Sequence, residues 1–240
     1  MTARWPWVLM YHSVGPTDDD PFHVTVSPRR FRAQMEALRL AGRRGVSMRT
    51  LLATPPGPLR DRMVGLTFDD GYADFADVVV GVLDEHGFDA TVYVVAGRLG
   101  GTNDWESAGA VKPLMTPARI REVAALGMEV AAHGVAHRPL AGLAPEDVER
   151  EVVESRLVLE DVLGARVTGF AYPYGSVDLP AHAAVREAGY EHGVAVRGAP
   201  RRDVWTIPRT FVGEADTPAR LVAKCVRSLR DRTSDRRAAA

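Results

Sequence analysis

The chain has 240 residues, with 30 Lys+Arg against 31 Asp+Glu for a formal charge of -1, and 46% of its residues are hydrophobic. That length can bury one large α/β core, and the balanced charge excludes nucleic acid or an anionic membrane as the default partner. A single cysteine, Cys225, excludes an intramolecular disulfide, so nothing ties the fold to an oxidising compartment.

In chain order, Met1–Trp7 runs straight into the first expected strand, Val8–Tyr11. That apolar run is too short for a leader peptide and no stretch is long enough to span a bilayer, so the chain as written reads as cytoplasmic. An acidic loop, Pro16–Pro21, follows. Ser27 is a suitable N-cap and Pro28 fits the first helical position of a helix with Phe31, Met35 and Leu38 on one face. Val64–Phe68 is a strand ending in Asp69-Asp70-Gly71, Asp74–His86 a helix stopped by Gly87, and Ala90–Val95 a strand. Gly97–Thr116 is a loop carrying Trp105. A helix opens at Thr116-Pro117 and ends near Gly127, and Met128–Ala132 is a strand running into His133. Ala144–Leu163 is a long helix closed by Gly164. Val167–Tyr172 is a strand, Leu179–Ala188 a helix, His192–Val196 a strand, Trp205–Val212 a last short strand and Thr217–Arg230 a last helix. Cys225 falls in the apolar pattern of that helix and reads as a core thiol. Residues 1–230 are expected to form one domain. Residues 231–240, part of the basic stretch from Arg227 to Arg237, are expected to be a disordered, solvated tail.

Alternating strands and helices predict a parallel sheet, whose sites form at the carboxyl ends of the strands. Asp69-Asp70, His133, Tyr172-Pro173-Tyr174 and His12 all follow expected strands, and this topology gathers them around one mouth. Adjacent carboxylates at a strand end point in different directions, so one can ligate a metal while the other faces a water. Two aspartates capping the next helix are the plainer alternative. His133 and His137 converge on one helix face or across a short turn, and two imidazoles with one carboxylate make a zinc-like donor set. Phe170–Gly175 reads as a rigid aromatic turn able to aim a main-chain N–H at an oxyanion, or simply as a corner.

Together these segments make the chain resemble the polysaccharide deacetylase family, also called the NodB-homology or carbohydrate esterase family 4 domain. The resemblance runs from Leu9 to about Val212. Thr67–Gly71 matches the Thr-Phe-Asp-Asp-Gly motif. His133–His137 is similar to the His-Ser/Thr-x-x-His motif, and Phe170–Gly175 to the third motif. Met10-Tyr11-His12 resembles the branch that holds the exopolysaccharide N-deacetylases. The resemblance implies a distorted (β/α) barrel of seven strands. It also implies a metal-dependent hydrolase that removes an acetyl group from an N-acetylated amino sugar, small, lipid-linked or oligomeric. Asp69 matches the catalytic base, and Asp70, His133 and His137 match the ligands of one divalent metal, zinc first, with Co²⁺, Ni²⁺ or Mn²⁺ as alternatives. Tyr174 matches the residue whose main-chain N–H helps form the oxyanion hole.

Three departures stand out. Gly134 replaces the small hydroxyl residue after the first histidine, which removes a hydrogen bond that would support the ligands. Ala171 replaces the common arginine of the third motif, a partner that would orient the base. The late Leu-x-His motif is absent, and in the Tyr-His branch His12 takes the acid role. Asp203 near Trp205 reads as a loop aspartate. Trp105 either stacks on a sugar face or packs under its own loop. Thr17–Val24 and Gly97–Lys112, the loops that would select substrate, carry no readable code. Hydrolysis of a non-sugar amide or ester, a sugar-binding module that keeps the metal, and a structural domain with a vestigial site remain the competing readings.

Overall fold

The computed structural model describes residues 7–196, 199–225 and 227. The expected tail at 231–240 lies outside them, as does the end of the last helix, which is described over 218–225 and at 227. The strands are β1 (Val8–Tyr11), β2 (Ser13–Val14), β3 (Thr25–Val26), β4 (Arg44–Val46), β5 (Met63–Phe68), β6 (Thr91–Val94), β7 (Glu129–Ala132), β8 (Gly169–Ala171), β9 (His192–Ala195), β10 (Ile207–Pro208) and β11 (Thr210–Phe211).

The main sheet runs in the order β10-β9-β8-β7-β6-β5-β1-β11, with β4 also paired to β5, and all its pairings are parallel. Eight strands in one path, rather than the expected seven, wrap into a nearly closed barrel. The extra strand comes from the segment expected as one strand at Trp205–Val212. It is extended as expected, but its first half pairs with β9 and its second half with β1. One residue, Arg209, therefore spans the gap between the two edges of the sheet. Its N–H reaches the Ala195 carbonyl (3.1 Å), and the Val212 N–H reaches that of Met10 (2.9 Å).

Side chains alternate across each strand, and they divide the core in two. Leu9, Tyr11, Leu66, Phe68, Val92, Val130 and Phe170 pack outward under the helices. Each such large apolar side chain contributes roughly 1.5–3 kcal/mol on full burial. Val8, Met63, Tyr93, Ala131, Ala171, Val194 and Ile207 face inward and fill the barrel. The short helix Met48–Ala53 adds Met48 and Leu51 to this inner cluster. Glu129 anchors that helix by accepting from the Arg49 N–H (2.8 Å) and the Thr91 hydroxyl (2.7 Å), a carboxylate placed where the helix dipole favours it.

Ser27 caps the helix Pro28–Leu40 and Gly164 closes Ser155–Leu163 in the left-handed conformation, both as the sequence predicts. The helices expected at Asp74–His86 and Ala144–Leu163 each contain a π-helical turn, Phe75–Val79 and Arg150–Glu154. Cys225 is buried in the outer core. Among the described residues no helix is long and apolar enough to cross a membrane.

Candidate functional site

The same alternation delivers the site. On β5, Met63, Gly65 and Thr67 face the barrel interior, and Asp69 continues that row past the strand end. Asp70 and Gly71 follow with φ of 74° and 76°, and this left-handed pair turns the chain. The second carboxylate thereby swings away from the first, toward the end of β7. Asp70, His137 and Tyr174 are three of the four non-glycine residues with positive φ among the described residues. Such backbone costs of order 1–3 kcal/mol per residue and tends to collect at working sites.

His133 follows β7 and His137 lies four residues on in a turn, so the two converge by the turn and not by a helix face. Asp70 Oδ1 is 3.5 Å from His133 Nε2 and 3.3 Å from His137 Nε2, and the three ligand atoms lie within 4.8 Å of one another, all on buried residues. His133 Nδ1 lies 2.8 Å from the Ala171 carbonyl. A carbonyl only accepts, so that nitrogen carries a proton, and in the neutral ring Nε2 then presents a lone pair to Asp70. Asp70 Oδ1 is buried without a hydrogen-bond partner among the described residues. A bare carboxylate oxygen facing an imidazole lone pair is a poor arrangement unless a cation lies between them. The residues therefore fit a divalent metal held by two imidazoles and one carboxylate, with room for further ligands. With no ion between them, burial would raise the Asp70 pKa, but the two imidazoles acting as donors hold it well below the ordinary carboxylate range, and Asp69 and Asp70 raise the His133 pKa against its own burial.

Asp69 is not a ligand of this group. Its two oxygens accept from Arg209 Nη1 (2.6 Å) and Nη2 (2.7 Å), and Nη1 also reaches the Thr67 hydroxyl (3.2 Å). The guanidinium is 1% exposed and the carboxylate 4%, which makes this a fully buried bidentate pair. Burial raises the Asp69 pKa, and the charge and hydrogen bonds of Arg209 together with His133 and His12 more than offset that, so the carboxyl sits below its ordinary value. Sequence reasoning took Ala171 to mean that the base lacks an arginine. The structure corrects this, because the arginine arrives from the barrel seam. The available signal was a lone arginine in an otherwise uncharged extended stretch, Ile207-Pro208-Arg209-Thr210-Phe211.

His12 Nε2 stands 3.9 Å from Asp69 Oδ2. Burial lowers its pKa, against the opposing pull of Asp70 and Asp69. Tyr174 adopts φ 56° within the turn after β8, sets its ring 4.6 Å from that of His137 at a tilt of 51° and its hydroxyl 3.2 Å from Glu106 Oε1. Burial and Glu106 push the phenol pKa up to about 12. Trp105 sets its ring 4.6 Å from that of His137 as well, so it covers that imidazole. Asp203 bonds His182 Nε2 (2.8 Å) and the Trp205 N–H (3.0 Å), a loop staple that does not line the site.

His12, Asp69, Asp70, His133, His137, Tyr174 and Arg209 all line one cavity of about 250 Å³. The two loops without a readable code roof it and dock on each other. The Ala110 N–H meets the Asp19 carbonyl (3.2 Å), and Lys112 Nζ bridges Ser13 Oγ (3.0 Å) and Thr25 Oγ1 (2.5 Å). Lys112 thus ties the second loop to the parallel pair β2–β3 that flanks the first.

Comparison with known proteins gives a family and a fold. The sequence profile of a family described as "Polysaccharide deacetylase" matches residues 57–193. YxkH of Bacillus subtilis (strain 168), a protein named for polysaccharide deacetylase, is 27% identical over 204 residues, 84% of this chain and 68% of its own. The Streptococcus pyogenes deacetylase PplD, solved in complex with acetate, has a TM-score of 0.74 at 23% identity, over 91% of this chain and 97% of that one. IcaB from Ammonifex degensii likewise gives 0.74 at 24% identity, over 92% and 97%. At these identities the structural likenesses speak for the fold.

Proposed function

The chain belongs to the polysaccharide deacetylase family, and on that premise we propose that it is a metal-dependent hydrolase releasing acetate from an N-acetylated amino sugar. The observation that carries this reading is the pairing of two unlike carboxylates at one strand end. Asp70 converges with two imidazoles, while Asp69 is held apart and ionised by Arg209.

Asp70, His133 and His137 would hold the cation, with zinc first among the candidates because two imidazoles and one carboxylate with open positions suit it. When bound, it lowers the pKa of a water and polarises the acyl carbonyl. Asp69 takes the proton as the water oxygen bonds to the carbonyl carbon. The main-chain N–H of Tyr174 answers the charge that develops on the carbonyl oxygen. The C–N bond then breaks, and the departing nitrogen must receive a proton, because an amine anion is a very poor leaving group. His12, neutral under its burial and 3.9 Å from Asp69, is placed to carry that proton onward as the acid. Arg209 keeps Asp69 charged and fixes its plane. The cavity, at about 250 Å³, falls just below the usual span of ligand pockets, which begins at roughly 300 Å³, and so favours a small acylated group over a bulky one.

The test is acetate release from N-acetylglucosamine monomers, oligomers and nucleotide-linked forms, with Zn²⁺ or Co²⁺, beside Asp69→Asn. Metal-dependent release that drops about 10²–10⁴-fold in the variant is the expected result. No release from any member by a protein that holds its metal would overturn the amino-sugar assignment.

A further inference from the structure

The turn from Gly134 to His137 is held from both sides. Its carbonyls at Gly134 and Val135 accept from the Ala96 and Gly97 N–H groups, each at 2.9 Å. Its N–H groups at Val135 and Ala136 point the other way, into the carboxylate of Glu151. Oε2 accepts from Val135 at 2.7 Å and from Ala136 at 3.0 Å. Successive N–H groups after a left-handed residue form a small anion-binding concavity, and here φ at Gly134 is 77°. The anion comes from the chain itself.

Glu151 is 3% exposed and sits within the π-helical turn Arg150–Glu154. It occupies the inward stripe of its helix beside Val148, Val152, Ser155 and Leu159, where every neighbour is apolar or small. A carboxylate at such a position costs stability unless its hydrogen bonds are met, and the turn meets them. The contact also accounts for Gly134. A Cβ there would lie 2.7 Å from Glu151 Oε2, so a serine or threonine could not occupy the position without pushing the carboxylate off the turn. The missing hydroxyl of the sequence motif and the buried glutamate are two halves of one arrangement.

We propose that Glu151 is a positioning residue for the metal centre: by gripping the Val135 and Ala136 N–H groups it sets the turn that brings His137 Nε2 beside Asp70 before any ion arrives. This rests on the metal reading above. Groups that orient ligands from outside the coordination sphere are each worth roughly 10–100-fold in metal affinity.

The test measures Zn²⁺ affinity of metal-stripped protein by competition with a chromogenic chelator, and the absorption spectrum of the Co²⁺-substituted protein. Wild type, Glu151→Ala and Gly134→Ala are compared. A drop of roughly 10–100-fold in Zn²⁺ affinity for both variants, with an altered Co²⁺ spectrum, is expected. Glu151→Met, which keeps much of the volume and removes both acceptor oxygens, carries the same measurement if Glu151→Ala does not fold. It should also lose affinity, since it leaves the Val135 and Ala136 N–H groups without their acceptor. A folded Glu151 variant with unchanged affinity and spectrum would overturn the proposal and leave the residue a structural staple. If wild type itself binds no Zn²⁺, the metal reading fails first, and the two failures are told apart.

Discussion

Replacing Arg209 by methionine tests the idea that a charge at the barrel seam governs the base. The substitution keeps much of the side-chain volume and removes both bonds to Asp69. Removing one partner of a buried ion pair leaves the other uncompensated, at a cost of about 3–5 kcal/mol. The sign of the pH dependence should reverse as well. In wild type the folded pKa of Asp69 is depressed. Its stabilising contribution is therefore present above the unfolded value of about 4 and is lost as pH falls through the folded one. Without the guanidinium, burial dominates and lifts the folded pKa above the unfolded value. Stability is then lost as pH rises through that interval. Urea unfolding of metal-free protein between about pH 2 and 8 reads both effects. The double variant Arg209→Met/Asp69→Asn removes the stranded charge as well, and it should be more stable than Arg209→Met alone. Additive losses, or a wild-type pH profile in Arg209→Met, would refute the reasoning, because residues that do not interact add.

Two further outcomes follow from the site. Zn²⁺ should raise the unfolding midpoint of the stripped protein in a concentration-dependent way, by the equivalent of about 2.7 kcal/mol at a hundred times the dissociation constant. His133→Ala should abolish that shift, and a shift that survives the substitution would place the metal elsewhere. His12→Ala should lower turnover of an N-acetyl amide by roughly 10²–10⁴-fold. It should spare an activated aryl acetate, whose leaving group departs without a proton, and equal losses on both substrates would remove His12 from the acid role.

The outline of the fold was legible because hydrophobic runs and caps such as Ser27-Pro28 and Gly164 carry local information. So was the gathering of Asp69, Asp70, His12, His133 and Tyr174, since each follows a strand and parallel strands share one carboxyl end. What the sequence hid was non-local. Nothing near Ala171 says that an arginine 38 positions later faces the same carboxylate, and nothing near Gly134 announces Glu151 on the next helix. The short elements β2, β3 and β4 were missed for a related reason. Two or three residues carry no measurable period, and their pairing partners, not their composition, make them strands. The split of Trp205–Val212 was hidden in the same way: an extended stretch reads alike whether it has one neighbour or two.

The seam also orders events in time. Thr210 pairs with Leu9 across about 200 residues of intervening chain, so the first strand of the barrel waits for one of the last. At ribosomal speeds of 5–20 residues per second that wait is roughly 10–40 s. During it both edges of the sheet stand open, and Asp69 lacks the guanidinium that pairs with it in the closed barrel. Arrival of Ile207–Phe211 closes the wall and sets Arg209 on the Asp69 carboxylate in one step. A nascent chain can thus hold its histidine turn early, yet Asp69 gains its buried partner only when the barrel is shut.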